Sequence, residues 1–106
     1  VTISDNTRIS SHTFICELVS IGKNCFIAHG VMFTNDTFKN GKLGDSVEDW
    51  HSTIIEDNVL IGSNSTILPI NIVSGCVIGA GSVVTQDCKI KGVYAGNPAK
   101  LLRKLD

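Results

Sequence analysis

The chain has 106 residues, enough for one domain, and a formal net charge of −1, which offers no basic face to nucleic acid. Apolar residues make up 42% of it, yet no run approaches the roughly 20 residues that span a membrane. Two prolines and six aromatics among abundant Gly, Ser, Thr, Asn, Val and Ile argue against a helical bundle and for short strands joined by tight turns. No signal-peptide pattern is visible. Cys16, Cys25, Cys76 and Cys88 form no C-x-x-C pair and no zinc-like cluster with histidine, so no metal is expected. They read as reduced, mostly buried thiols of a cytoplasmic protein.

From the first residues an aliphatic anchor recurs every six positions: Ile3, Ile9, Ile15, Ile21, Ile27, then Phe33. The series resumes at Ile55, Ile61 and Ile67, then Ile72, Ile78 and Val84, so eleven of twelve anchors are Ile or Val. Two residues before each anchor stands a smaller partner, as in Val19, Cys25, Val31, Thr53, Val59, Ser65, Cys76 and Ser82; only Ile70 is large. Positions two apart on a strand face the same side, so anchor and partner both point inward. The Gly, Asn, Asp and Ser that follow turn a corner. Three such strands close a triangular coil of 18 residues, and stacked coils pair each backbone with the coil above or below. Neither a helical period of 3.6 nor an alternating hairpin gives a strict six.

The spacing divides the chain into coils over residues 1–35, an inserted loop over 36–51, coils over 52–88 and a closing segment. Phe33 to Ile55 is 22 residues rather than six, an excess of 16. That excess is polar, contains Gly41 and Gly44, and reads as a protruding loop. A step of five from Ile67 to Ile72 marks a one-residue deletion near Pro69. At the end, Asn97 can cap a helix with Pro98 in its first turn, which predicts a short C-terminal α-helix over 97–105. Residues just before the anchors point outward. One wall reads Thr2, Ser20, Ile54, Asn71; a second Arg8, Phe26, Leu60, Val77; a third Phe14, Met32, Thr66, Val83. The first is largely polar and the other two partly apolar.

The segments LIGSNSTILP (60–69), VIGAGSVVTQD (77–87) and VYAGNPA (93–99) resemble the hexapeptide-repeat acyltransferases, and the likeness runs over nearly the whole chain. The resemblance implies an all-β fold, a single-stranded left-handed parallel β-helix; the left hand comes from the family, because parallel crossovers are ordinarily right-handed. It also implies a homotrimer, for which two unlike apolar walls suit heterologous contacts that close. It further implies acetyl-CoA as co-substrate, lying in the groove between subunits. By the same resemblance Ser63, Ala80 and Thr85 match pantetheine-lining positions. Gln86 stands where many relatives have Lys, and Lys100 and Arg103 match the basic positions that reach the nucleotide phosphates. A plainer alternative for these two cations is helix-end charge.

A narrower resemblance lies in CFIAHGVMFTNDTF (25–38). Its Phe33-Thr34-Asn35-Asp36 stretch is similar to the branch that N-acetylates amino sugars carried on nucleoside diphosphates for surface polysaccharides. In that branch an asparagine at the position of Asn35 lies by the acceptor amine, where positioning supplies much of the rate. The plainer alternative is a turn residue. A hydroxyl-directed branch has histidine at or beside this corner, where Asn35 and Asp36 stand here. His29, one step earlier, is either a general base acting across a subunit boundary or an exposed corner residue. His51 is a weaker candidate and His12 weaker still. Trp50 packs the loop or stacks on a ligand. The alternatives to N-acetylation are O-acetylation of a sugar or small-molecule hydroxyl, and a non-catalytic or metal-binding β-helix.

Overall fold

The computed structural model describes residues 1–106, the side chain of Val47 excepted. Its strands are two or three residues long through the coils and stack into three parallel walls. The first wall joins β1 (Thr2–Ile3), β3 (Val19–Ile21), β6 (Thr53–Ile55) and β9 (Asn71–Ile72). The second joins β2 (Arg8–Ile9), β4 (Phe26–Ile27), β7 (Leu60–Ile61) and β10 (Val77–Ile78), and continues into β12 (Gly92–Gly96) and β13 (Ala99–Lys104). The third joins β5 (Met32–Phe33), β8 (Thr66–Ile67) and β11 (Val83–Val84), with Phe14 bridged to Met32 below them.

The register follows the six-residue repeat. Thr2 pairs with Ser20, Ser20 with Ile54 and Ile54 with Asn71. Arg8 pairs with Phe26, Phe26 with Leu60 and Leu60 with Val77. Met32 pairs with Thr66 and Thr66 with Val83. These are the three outward sets expected from the sequence. Across the deletion near Pro69 the pairing closes with a coil one residue shorter, so Ile72 still lies on Ile55.

Anchors fill the interior. Ile21, Ile27, Ile55, Ile61, Ile67, Ile72 and Ile78 are almost wholly buried, each worth about 1.5–3 kcal/mol against exposure. Ile3 is 45% exposed because a coil covers it on one side only. The smaller partners lie inside too, and their polar atoms are satisfied by corner carbonyls. Ser82 Oγ donates to Gly79 O at 2.6 Å, Ser65 Oγ to Gly62 O at 2.9 Å, and Cys25 Sγ to Glu56 O at 3.1 Å. Among the described residues, Thr53 Oγ1 alone is buried without a partner. Cys25, Cys76 and Cys88 are buried and Cys16 partly so, all as free thiols.

The corners explain the Asn and Gly content. Asn6, His12, Leu18, Asn24 and Gly30, then Asn58 and Asn64, then Gly75 and Gly81, all have φ between 58° and 79°. Each stands three residues after an anchor. Gly and Asn tolerate this left-handed backbone, and Leu18 is the apolar exception.

The C-terminal α-helix does not form. Residues 99–104 are β13, which turns at Asn97-Pro98 and runs antiparallel to β12, with Gly96 opposite Ala99, Ala95 opposite Lys100 and Val93 opposite Arg103. β12 pairs in parallel with β10 on one edge, so its other edge would carry unpaired backbone groups if the next segment were helical. Leu101 strengthens the strand choice by lying against Gly92, where a Cβ would stand 2.5 Å from Leu101 Cδ1. Tertiary pairing therefore overrides the capping signal of Asn97 and Pro98.

Candidate functional site

Each wall ends in a corner, and corners of successive coils stack into ridges. On the ridge after the second wall, Gly30 N donates to Ser11 O at 3.1 Å, Asn64 N to His29 O at 3.0 Å, and Gly81 N to Ser63 O at 2.8 Å. Ser11, His29, Ser63 and Ala80 thus follow one another up one edge of the prism. His29 and Ala80 are exposed and Ser63 is half-buried. Ala95 lies over Gly79 at the top of this edge, with Lys100 opposite it on β13. Lys100 and Arg103 are both exposed, on a strand rather than the expected helix.

The ridge after the third wall carries Asn35 and Asp36. Thr34 N donates to Ile67 O and Leu68 N to Val84 O, so Thr85 repeats two coils higher the position of Thr34. Thr85 and Gln86 are exposed there. Residues singled out in the sequence therefore fall into two groups. His29, Ser63, Ala80 and Lys100 share the second corner; Asn35, Asp36, Thr85 and Gln86 share the third. Within one subunit the third wall, with Phe14 and Met32 exposed, lies between them.

Asn35 is held by both its main chain and its side chain. Its Nδ2 donates to Glu17 O at 3.2 Å in the coil below, and its carbonyl accepts from His51 N at 3.0 Å. The first bond leaves Oδ1 as the free end of the carboxamide, an assignment made from the hydrogen-bond pattern. The second closes the inserted loop at its neck. Glu17 contributes only a main-chain carbonyl, which no sequence signal marks. His51 could have been found from the length of the insertion, because the chain must return to the coil it left.

Asp36 organises the loop. Its Oδ1 accepts from Phe38 N at 3.0 Å and its Oδ2 from Gly44 N at 2.7 Å. These two N–H groups, Gly44 first, hold its carboxyl below the usual carboxylate range, and the charge of His51 adds to them. A second acid acts alike, with Asp49 Oδ2 accepting from Asp45 N at 2.9 Å next to a 3-10 turn over Val47–Asp49. Trp50 packs the loop: a Cβ on Gly44 would stand 3.1 Å from its Nε1. The loop surrounds a polar cavity of about 160 Å³ lined by Asp36, Lys39, Lys42, Gly44, Asp45 and Asp49.

Three of the four thiols are poor nucleophiles. Burial pushes the Cys88 thiol up to about 12, with Cys76 and Asp87 adding to it, and burial also raises Cys16 and Cys76. Among the described residues no group of three or more His, Cys, Asp or Glu could hold a metal ion. Among the described residues no helix is long and apolar enough to cross a membrane.

Residues 52–86 match the family model described as the hexapeptide repeat of succinyl-transferase. The likeness to hexapeptide-repeat acyltransferases read from the sequence therefore holds. Fifty-four residues are 50% identical to the 2,3,4,5-tetrahydropyridine-2,6-dicarboxylate N-acetyltransferase of Clostridium perfringens, covering 50% of this chain and 23% of that protein. Among solved structures, the polySia specific acetyltransferase NeuO is similar with a TM-score of 0.81 at 29% identity, over 96% of this chain and 51% of that one. Soybean serine acetyltransferase complexed with serine is similar with a TM-score of 0.74 at 35% identity, over 95% of this chain and 40% of that one. The chain thus spans about a quarter of the curated relative's length and about half or less of the solved ones. A left-handed β-helix fits the parallel walls and these relatives.

Proposed function

We propose that the chain is the catalytic β-helix of an acetyl-CoA-dependent acetyltransferase whose acceptor is the amino group of a nucleotide-linked amino sugar, used in surface-polysaccharide synthesis. The observation that carries the amine preference is the fixed carboxamide of Asn35. With Nδ2 engaged by Glu17, Oδ1 is left to accept a hydrogen bond from the acceptor. An amine N–H donating to it aims its lone pair at the thioester carbonyl. Positioning of that kind supplies much of the rate for a nucleophile that is already strong when neutral.

Acetyl-CoA would lie between subunits of a homotrimer. In that arrangement the ridge of Ser63 and Ala80 in one subunit faces the Asn35 ridge of the next, with Thr85 and Gln86 alongside. This joins the two groups that a single chain keeps apart. Lys100 and Arg103 would meet the nucleotide phosphates as point and fork charges on β13. The exposed Phe14, Met32 and Leu60 supply apolar area for the association. The cytoplasm, where acetyl-CoA and nucleotide sugars are found, is the compartment this reading requires.

A second reading is O-acetylation. It is favoured by the position of His29, exposed on the same ridge as Ser63 and Ala80, where an imidazole could deprotonate a hydroxyl. One assay separates the two: thiol release from acetyl-CoA with a panel of amino and hydroxy sugars, free and nucleotide-linked. Turnover confined to amino sugars supports the first reading, turnover with hydroxy sugars supports the second, and no turnover with any member removes both. A sedimentation mass of one subunit would remove the intersubunit site.

A further inference from the structure

We propose that the Asn40-Gly41 bond is a self-modification site: Asn40 deamidates through attack by the Gly41 nitrogen, at a rate held down by the turn that Asp36 frames. The inference needs neither an acceptor nor coenzyme A and is independent of the acetyl-transfer reading.

Placement singles out Asn40. It alone among the eight asparagines is followed by glycine. It is exposed and lines the polar cavity of the inserted loop. A Cβ at Gly41 would meet nothing within 4 Å, so the space beside that backbone is open, and Gly41 at φ 74° has the conformational freedom of glycine. The other asparagines are set against the same reaction. Asn24, Asn58, Asn64 and Asn71 precede Cys25, Val59, Ser65 and Ile72, all buried in the coil. Asn6 precedes Thr7, whose hydroxyl is tied to Gly22 O. Asn35 spends its Nδ2 on Glu17 O and precedes Asp36. Pro98, after Asn97, has no N–H to lose.

The Gly41 nitrogen is restrained. Its N–H donates to Phe38 O at 2.8 Å and closes a turn over 38–41. Asp36 brackets that turn, with Oδ1 accepting from Phe38 N at 3.0 Å on one side and Oδ2 from Gly44 N at 2.7 Å on the other. Attack requires the Gly41 N–H to leave Phe38 O and give up its proton, so the reaction runs from the locally opened turn. A carboxylate that holds both flanks lowers the population of that opened form.

The chemistry needs only water. The Gly41 nitrogen loses its proton to solvent base and attacks Cγ of Asn40. A C–N bond forms, the Cγ–Nδ2 bond breaks, and the departing nitrogen takes a proton and leaves as ammonia. Water then opens the cyclic imide. Attack at Cγ gives an aspartate at position 40, and attack at the main-chain carbonyl gives an isoaspartate. Either product adds a carboxylate to the cavity wall that already holds Asp36, Asp45 and Asp49. The isoaspartate also lengthens the main chain inside the Asp36 bracket.

The test incubates the full chain at neutral and mildly alkaline pH and maps conversion at every asparagine over time by peptide mass spectrometry. Wild type, Asn40→Gln and Asp36→Ala are compared with wild type unfolded in guanidinium. Asn40 is expected to convert ahead of every other asparagine, faster at the higher pH, and more slowly folded than unfolded. Asn40→Gln should lack the early mass gain, because its longer side chain must close a larger ring. Asp36→Ala should convert at position 40 about 2- to 10-fold faster than wild type, the opened population gained by losing exposed hydrogen bonds. Protected β8 amides check that this variant keeps its coil, and the folded-against-unfolded comparison stands without it. Folded wild type that leaves Asn40 intact while the unfolded chain converts overturns the proposal, as does earlier conversion at a coil asparagine. An Asp36→Ala rate equal to wild type overturns the restraint assigned to Asp36.

Discussion

The main-chain N–H of His51 donates to the carbonyl of Asn35 over 3.0 Å, joining residues 16 positions apart in the chain. The coil therefore resumes from the point it left, and the loop is added without disturbing the stack. Ile55 lies on Ile21 as though the insertion were absent. Every functional expectation at the third corner depends on this neck.

Asn35→Ala is expected to lower kcat/KM for the acceptor by about 10- to 100-fold, the scale of losing one orienting hydrogen bond. Coenzyme A binding should hardly change. Asn35→Asp keeps an outward oxygen and loses the N–H to Glu17, so it should retain more activity than Ala. Steady-state kinetics with equilibrium coenzyme A binding check this, and equal losses in both would remove the proposed role of Asn35.

Asp36 gives the loop a dependence on acid. Its folded pKa lies below the ordinary aspartate value of 3.8, so its contribution is fully present above that value and is lost as pH falls through the lower folded one. Amide exchange at Phe38 and Gly44 should be slow at pH 7 and speed beyond the intrinsic pH effect below about pH 3.5. Asp36→Asn should show fast exchange at both pH values while the β8 amides stay protected. Protection unchanged in the variant would mean that the carboxylate does not hold the loop.

Thr53 carries a buried hydroxyl with no partner, unlike Ser65 and Ser82. Thr53→Val removes that group and keeps the shape, so it should leave stability unchanged or raise it by about 1 kcal/mol. Ser82→Ala breaks its bond to Gly79 and should lower stability by about 1 kcal/mol. Denaturant melts of the two variants should move in opposite directions or leave Thr53→Val at wild type.

Leu18 sits at φ 69°, a backbone that the first and second corners give mostly to Asn or Gly, and its side chain is 39% exposed. Leu18→Asn should stabilise the chain by about 0.5–1 kcal/mol, because a left-handed backbone disfavours a Cβ that cannot bond locally. A lower melting temperature would show that packing of Leu18 outweighs its backbone.

The coil was legible because its information is local and repeated. Ile21 and Ile55 could be matched across the insertion by spacing alone, and Asn24 and Asn58 marked the same corner in both coils. The closing segment was misread because Asn97-Pro98 serves a helix cap and a turn equally well. What decides it is the open edge of β12, a tertiary fact. The loop interior was opaque for a related reason. Asp36 chooses the N–H of Gly44 eight residues away, and the identity of Gly44 does not announce an N–H that is shared by nearly every residue. The two corner groups were identifiable one residue at a time, but their separation by the third wall emerges only when the coils are stacked.

The reversal at Asn97-Pro98 sets a limit on growth. A stack of parallel coils is a template, and each new coil copies the register of the last. β13 ends the copying by running the other way, and it sets Lys100, Arg103 and Lys104 along the outermost strand. A second molecule approaching that strand with its own β13 would meet like charges. Thus a short motif that resembles a helix start turns the chain back along β12, and the parallel register passed from coil to coil is not copied into β13.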